Sequence, residues 1–237
     1  MAWDDVKATG NEITADEWNA HVVDQKSRGF DSIEVFEADG TFDASSVDTV
    51  FVEAVGGGGG GGGLTSSSNG TASGGGGGGY AASFIDLSAD TNVTVTVGSG
   101  GSGGTPSGGA GGDSTFKSLT ANGASGGIEP SGSFVGGGSG GGGVGDIVIP
   151  GDDGGGGIVI NSSNYTDGIP FAKTGSGGDS NLGSGAEGLP DTTGLGRVGD
   201  PGNIYGGGGC GASDLEGALE PSGGDGADGV VIVYFTN

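Results

Sequence analysis

The sequence predicts an all-β fold whose strands are joined by packed glycine helices, preceded by one short α-helix at the N-terminus. Three observations predict it. Glycine supplies 65 of 237 residues and is gathered in blocks, where an ordinary chain has about 7%. Outside the blocks, apolar residues recur with period two, the spacing of a strand with one face turned inward. Helical spacing occurs only before residue 30.

Residues 1–29 form a first unit without a glycine block, and residues 30–237 form a glycine-rich β-domain. In the first unit Thr14 and Glu17 fit a capping box. Trp18, His21 and Val22 follow at i, i+3 and i+4, and Gly29 suits the stop. The helix so predicted, Ala15 to Ser27, is too short to be stable alone in water and needs a surface to pack against. Trp3, Ile13, Trp18 and Val22 are the expected anchors of this unit to a partner or to sister subunits.

From Phe30 onward the pattern is that of strands. Ile33–Ala38 and Thr49–Val55 read as the first two, with Asp39-Gly40 as punctuation. Val93-Thr94-Val95-Thr96-Val97 alternates, so its valines face a core and its threonines face out. Ile147–Ile149 and Ile158–Ile160 are short apolar runs flanking a turn at Pro150-Gly151-Asp152-Asp153. Val230–Phe235 is apolar on both faces, which fits a central strand or one covered by a second subunit.

Between the strands lie Gly56–Gly63, Gly74–Gly79, Gly136–Gly138 with Gly140–Gly143, Gly154–Gly157 and Gly206–Gly209. Composition alone also fits flexible linkers. Their position favours order, because they interrupt strands that must pair, and a loose loop in each gap would add closure entropy every time. The expected conformation is the extended left-handed helix of three residues per turn, rising ~3.1 Å per residue, so Gly56–Gly63 would span about 25 Å. Amide pairing between chains, with Cα–H contacts of roughly 0.5–1 kcal/mol each, must offset glycine's ordering cost.

Acidic residues number 30 against 6 basic ones, a net charge of −24. Such a surface repels a phosphate lattice, so no nucleic-acid partner is expected. The self-repulsion is relieved by screening in concentrated salt and points to a halophilic source; the plainer alternative is an acidic surface that aids solubility. Cys210 alone excludes a disulfide scaffold. The longest apolar run, Val230–Phe235, is far short of the ~20 residues of a membrane-spanning helix, so membrane insertion is not expected.

Motifs for chemistry are weak, and an enzyme is not expected. Gly100–Gly104 and Gly137–Gly141 match a hydrolase nucleophile elbow, as glycine-rich chains do by chance. The single histidine, His21, sits in the predicted helix, away from either match. Thirty acids make carboxylate pairs by chance, so glycoside hydrolysis has no specific support. Gly223–Val231 fits one copy of a calcium-binding nonapeptide that normally works as a stack. Asp152, Asp153, Asp225 and Asp228 are therefore candidate oxygen ligands for Ca2+, Mg2+ or Na+, against the plainer reading of a tight turn and solvated charge. No other cofactor is expected. Asn69, Asn92, Asn161 and Asn164 begin glycosylation sequons. Tyr80, Tyr165, Phe171 and Tyr205 lie beside glycine or turn residues, where a ring can be exposed for sugar or protein recognition, or can cover the end of a small core.

The order of parts is informative. Gly40-Thr41-Phe42 leads to Val47–Gly56, then polyglycine, then Gly79-Tyr80-Ala81. Val93–Gly98 and Gly111–Phe116 follow, and the chain closes with Gly226-Ala227-Asp228-Gly229-Val230–Tyr234. This resembles the glycine-rich domain of phage tail-fibre tips and adhesins over residues 30–237, and Ile13–Asn19 resembles the start of many tail-associated proteins. With the acidity, the whole resembles a tail-fibre or receptor-binding protein of a haloarchaeal tailed virus. The resemblance implies a jelly-roll-like β-sandwich with polyglycine loops, commonly trimeric, attached to the virion by its N-terminal segment. Tip loops would contact a host surface-layer glycoprotein or glycan, and the partners at the other end would be tail or capsid proteins. A trimer is expected also because 31% hydrophobic residues make a small core. Such a protein is made in the host cytoplasm without a signal peptide and resides in the virion. The alternatives are a capsid turret or tail decoration protein without a receptor role, and a cellular glycine-rich surface or ice-binding protein. The halophile reading predicts a melting temperature that climbs steadily from dilute buffer to about 2 M salt, where charge is screened within about 3 Å; a flat thermal-denaturation series removes it.

Overall fold

The structure, a computed structural model, describes residues 29–65, 70–129, 136–160, 171–192, 195–216 and 219–236. The predicted helix at 15–27 lies outside them. The described residues form fifteen strands: β1 (Ser32–Phe36), β2 (Gly40–Asp43), β3 (Thr49–Val55), β4 (Gly70–Thr71) and β5 (Tyr80–Asp86). Then come β6 (Asn92–Thr96), β7 (Ser114–Phe116), β8 (Leu119–Ala121), β9 (Gly143–Val144) and β10 (Ile147–Ile149). The last five are β11 (Ile158–Ile160), β12 (Phe171–Lys173), β13 (Pro190–Asp191), β14 (Ser213–Asp214) and β15 (Val230–Phe235).

All sheets are antiparallel. The larger unit has two five-stranded sheets, ordered β1-β15-β3-β5-β10 and β2-β6-β7-β8-β9. One hydrophobic cluster draws on both: Val50, Val52, Ile85, Val231 and Val233 from the first, with Phe42, Val93, Val95, Phe116 and Leu119 from the second. The valines of β6 are buried while Asn92 and Thr94 are exposed, as their alternation predicts. The final strand is central, with β1 on one side and β3 on the other, which accounts for its apolar character on both faces. Two small sheets, β4 with β14 and β11-β12-β13, stand apart from this unit.

The glycine blocks join the two regions as hydrogen-bonded rods. Along Gly56–Leu64 the amides of residues 56, 59 and 62 donate to the carbonyls of 79, 76 and 73. Those of 57, 60 and 63 donate to 112, 109 and 106, and those of 58, 61 and 64 to 227, 224 and 221. The carbonyls accept in the same rhythm: 57 and 60 from the amides of 124 and 127, 58 and 61 from 101 and 104, and 59 and 62 from 209 and 212. A period of three residues and six neighbouring segments define an extended threefold helix enclosed on every side. Residues 73–79 are enclosed likewise, donating to 122–128, 152–155 and 206–209 and accepting from 56–62, 138–141 and Gly178. Each such bond contributes about 1 kcal/mol net. Period three therefore replaces period two as soon as β3 ends.

The outer rods show the same period in their side chains. Ser99, Ser102 and Thr105 are exposed, as are Ser107, Ala110 and Asp113, with glycine at nearly every position between. The Pro150–Asp153 stretch is the start of a further rod and not a turn. The amides of Gly151 and Gly154 donate to Gly141 and Gly138, and that of Asp152 donates to Asp179, so the chain stays extended and Ile147–Ile149 and Ile158–Ile160 enter different sheets.

Interior rods cannot carry side chains. A Cβ on Gly77 would fall closer than 3.0 Å to the Asp179 carbonyl and one on Gly59 equally close to that of Ser125, whereas a Cβ on Gly136 meets nothing within 4 Å. Gly77→Ala is expected to cost about 3 kcal/mol or more and Gly136→Ala no more than about 0.5 kcal/mol, read from urea unfolding midpoints. In the parent, hydrogen exchange of the Gly56–Gly63 amides should be slowed as strongly as that of β3 and β15; exchange at random-coil rates would contradict the rods.

Candidate functional site

The rods fix two ends of the molecule. At one end Gly56 and Gly79 continue directly from β3 and into β5, so the five-stranded sheets and the chain entry at Phe30 gather there. At the other end Gly62–Leu64 lie beside Ser73, Pro106, Ala212 and Pro221, and the small sheets close the bundle. This far end is where side chains return. Ile158 is 55% exposed and Phe171 39%, and Val159, Leu195 and Val198 are exposed as well. Phe171 stands on β12, which pairs with β11 in front of it and β13 behind. Local loops are held by carboxylates: Asp214 accepts the amides of Glu216 and Leu219, and Glu129 accepts both the amide and the hydroxyl of Thr65.

Residues 37–236 match the sequence profile of a glycine-rich domain. The chain belongs to the glycine-rich domain family. No curated protein shows significant similarity to it. The match spans both the five-stranded sheets from Glu37 onward and the whole rod bundle, so the glycine-rich domain is one unit of strands and rods.

The domain separates the four aromatic residues proposed from sequence. Phe171 is exposed at the far end. Tyr80 is buried at 6% exposure at the start of β5, so its ring is not available to a partner. Its ring packs with Val55, Ala82 and Val230, and its hydroxyl donates to Glu53 Oε1 at 2.5 Å. Tyr205 packs on the same cluster from the sheet end, at φ +32° in a tight turn before Gly206, and its hydroxyl donates to Glu37 at 2.6 Å. Tyr80 is sealed into the end of the core, while Tyr205 covers that end and stays half-exposed. Tyr165 lies outside the described residues, as do Trp3, Ile13, Trp18 and Val22.

Three of the four carboxylates considered as cation ligands serve the rods. Asp228 and Asp225 accept the amides of Gly100 and Gly103, each at 2.7 Å and again three residues apart, and Asp153 accepts that of Gly140. Asp152 is exposed and bonds through its backbone to Asp179 and Gly77. Among the described residues no three His, Cys, Asp or Glu side chains gather as metal ligands. Both Gly-Gly-Ser-Gly-Gly matches are rod segments, without the strand-to-helix turn of a nucleophile elbow. Cys210 is buried inside a rod, where burial pushes its thiol pKa up. Of the sequons, Asn92 is exposed on β6, beside a groove of about 330 Å³ lined also by Asp90, Thr94, Thr115 and Lys117.

Sequence reasoning missed the outer face of the larger sheet. Phe51 pairs directly with Phe84 and with Tyr234 across the strands, and Phe30 lies over all three rings. The signal was present in β3, whose Phe51 and Val55 alternate with the core-facing Val50, Val52 and Ala54. Glu53 sits within this face and accepts hydroxyls from both Tyr80 and Tyr234. Burial, then the bond to Glu53, raises the phenol pKa of Tyr80; the bond to Glu53, then burial, raises that of Tyr234. A raised folded pKa gives stability that is complete below the unfolded value of about 10 and is lost as pH climbs through the folded values. Unfolding midpoints should therefore fall above about pH 10, and Glu53→Gln should lessen that fall without abolishing it, since burial of Tyr80 remains.

Proposed function

We propose that this glycine-rich domain is a non-enzymatic adhesin: a tail-fibre or receptor-binding protein of a tailed virus from a saline habitat, working as a homotrimer in the virion. The observation that carries this reading is the enclosed rod lattice, which sets exposed side chains on a stiff stem about 25 Å from the sheets. The chain enters at the sheet end, so an attachment segment at residues 1–29 would be opposite the exposed far end. We read the two five-stranded sheets over their common core as a sandwich of the jelly-roll kind, which supports the same assignment.

In mechanism, the stem would hold Phe171 and the Ile158–Val159 edge in fixed relation to the virion, so contacts with a surface glycoprotein or glycan lose little freedom on forming. Several weak contacts in a trimer would then act as one strong attachment. The acidic surface would keep the particles apart in concentrated salt. Purified protein should bind whole host cells saturably at native salinity and be displaced by virus. Phe171→Ser together with Ile158→Ser should weaken that binding several-fold while changing the unfolding free energy by no more than about 1 kcal/mol, about 0.5 kcal/mol for each exposed substitution. Absence of saturable, competed binding would leave a capsid or tail decoration role in its place.

A further inference from the structure

The outer face of the larger sheet is apolar over an area that a solvated sheet would cover with polar side chains. Ile33, Tyr234, Phe51 and Phe84 form one register row across β1, β15, β3 and β5. Phe84 is 65% exposed and Ile33 62%, and Val35 and Ile147 in the next row are exposed too. The other half of the face, Val55, Tyr80, Ala82 and Val230, is buried beneath the turn that carries Tyr205. One half of a continuous apolar face is thus covered by its own chain, and the adjoining half is open among the described residues.

The course of the chain identifies the cover. Phe30 stacks on Phe51 and Phe84 with ring centroids 6.4 and 6.3 Å apart and tilts against Tyr234 at 6.2 Å, so the polypeptide emerges from this patch. Immediately before it lie 29 residues that include both tryptophans and the Trp18–His21–Val22 stripe. A helix from Ala15 to Ser27 would be about 20 Å long, and five strands at ~4.8 Å spacing are about 19 Å across. Residues 1–29 carry six acidic and three basic residues, a net charge of −3, so they bring far less repulsion to the acidic rim than a second copy would. A second copy is a poorer occupant, because each carries −24 and presents the same acidic rim.

We propose that the N-terminal segment, as a helix over residues 15–27, seats across this face of its own chain, with Trp18 and Val22 against the rings of Phe51, Phe84 and Tyr234. The inference concerns the sheet end and stands independently of the adhesin reading. It makes the segment part of the fold, leaving Trp3 and its neighbours for contact with other proteins.

The test uses the full chain with Trp3→Phe, which keeps Trp18 as its only tryptophan. Trp18 emission should be blue-shifted and resist acrylamide equally over a wide range of protein concentration, whatever the mass of the assembly. Adding Phe84→Asp should shift the emission red and raise the quenching constant several-fold, while Val144→Asp, exposed on β9 of the other sheet, should change neither. Slow exchange of the rod amides in each variant confirms that the fold is intact. Quenching equal to that of a free tryptophan amide in the parent overturns the proposal. So does protection that is lost on dilution in step with dissociation of a dimer or trimer, which assigns the face to a second copy.

Discussion

The structure depends on the absence of a Cβ from long stretches of backbone. In a threefold extended chain each amide and each carbonyl points to a different side, and six neighbours can satisfy them only if the backbones approach to hydrogen-bonding distance everywhere. A side chain on any ridge of an interior rod would occupy the place of a neighbouring carbonyl, as at Gly59 and Gly77. The bundle therefore replaces burial of apolar area by saturation of backbone polar groups, and its interior is ordered although it has almost nothing hydrophobic to bury. The oily core is confined to the two five-stranded sheets, where Phe42, Phe116 and the valines of β3, β6 and β15 meet.

The same constraint gives the acidic composition a structural part. A rod at the edge of the bundle lacks a neighbour on its outer side, and its outward amides need acceptors. Carboxylates supply them: Asp228 and Asp225 to Gly100 and Gly103, Asp113 to Gly123, Asp153 to Gly140 and Asp179 to Gly185. An aspartate suits this place because it only accepts when ionised and is short enough to lie along an adjacent rod. These carboxylates do for rods what edge charges do for sheets, satisfying the backbone while discouraging another chain from adding there. The spacing of Asp225 and Asp228, which resembles a cation motif in sequence, follows from the three-residue period of the rod they serve.

Much of this was legible in the sequence and some was not, for definite reasons. The alternation of β6 and the ends of β3 and β15 could be read because one periodicity fits one environment. The two-residue strands β4, β9, β13 and β14 are too short to show any period. Pro150–Asp153 looked like a turn because its residues favour turns locally; tertiary pairing with Gly141, Asp179 and Gly138 overrides them. Tyr80 looked exposed because glycine neighbours it, yet in a rod bundle a glycine is the mark of close packing, not of a loose loop. A finer signal was present: unbroken glycine, as at Gly56–Gly63, marks an enclosed rod, and a small or polar residue at every third position, as at Ser99, Ser102 and Thr105, marks one with a face in water.

That distinction also separates support from contact. Enclosed rods have no surface to vary, and outer rods vary only along one ridge, so chemical identity toward a partner must reside where the period breaks. It breaks in two places: at the far end, where Ile158, Phe171 and Leu195 emerge, and on the outer sheet face around Phe51 and Phe84. Because the rods that join these places share hydrogen bonds at every residue, a displacement at one end cannot be absorbed by a hinge between them. The two surfaces are thus held at a fixed separation by the hydrogen-bonded rods between them.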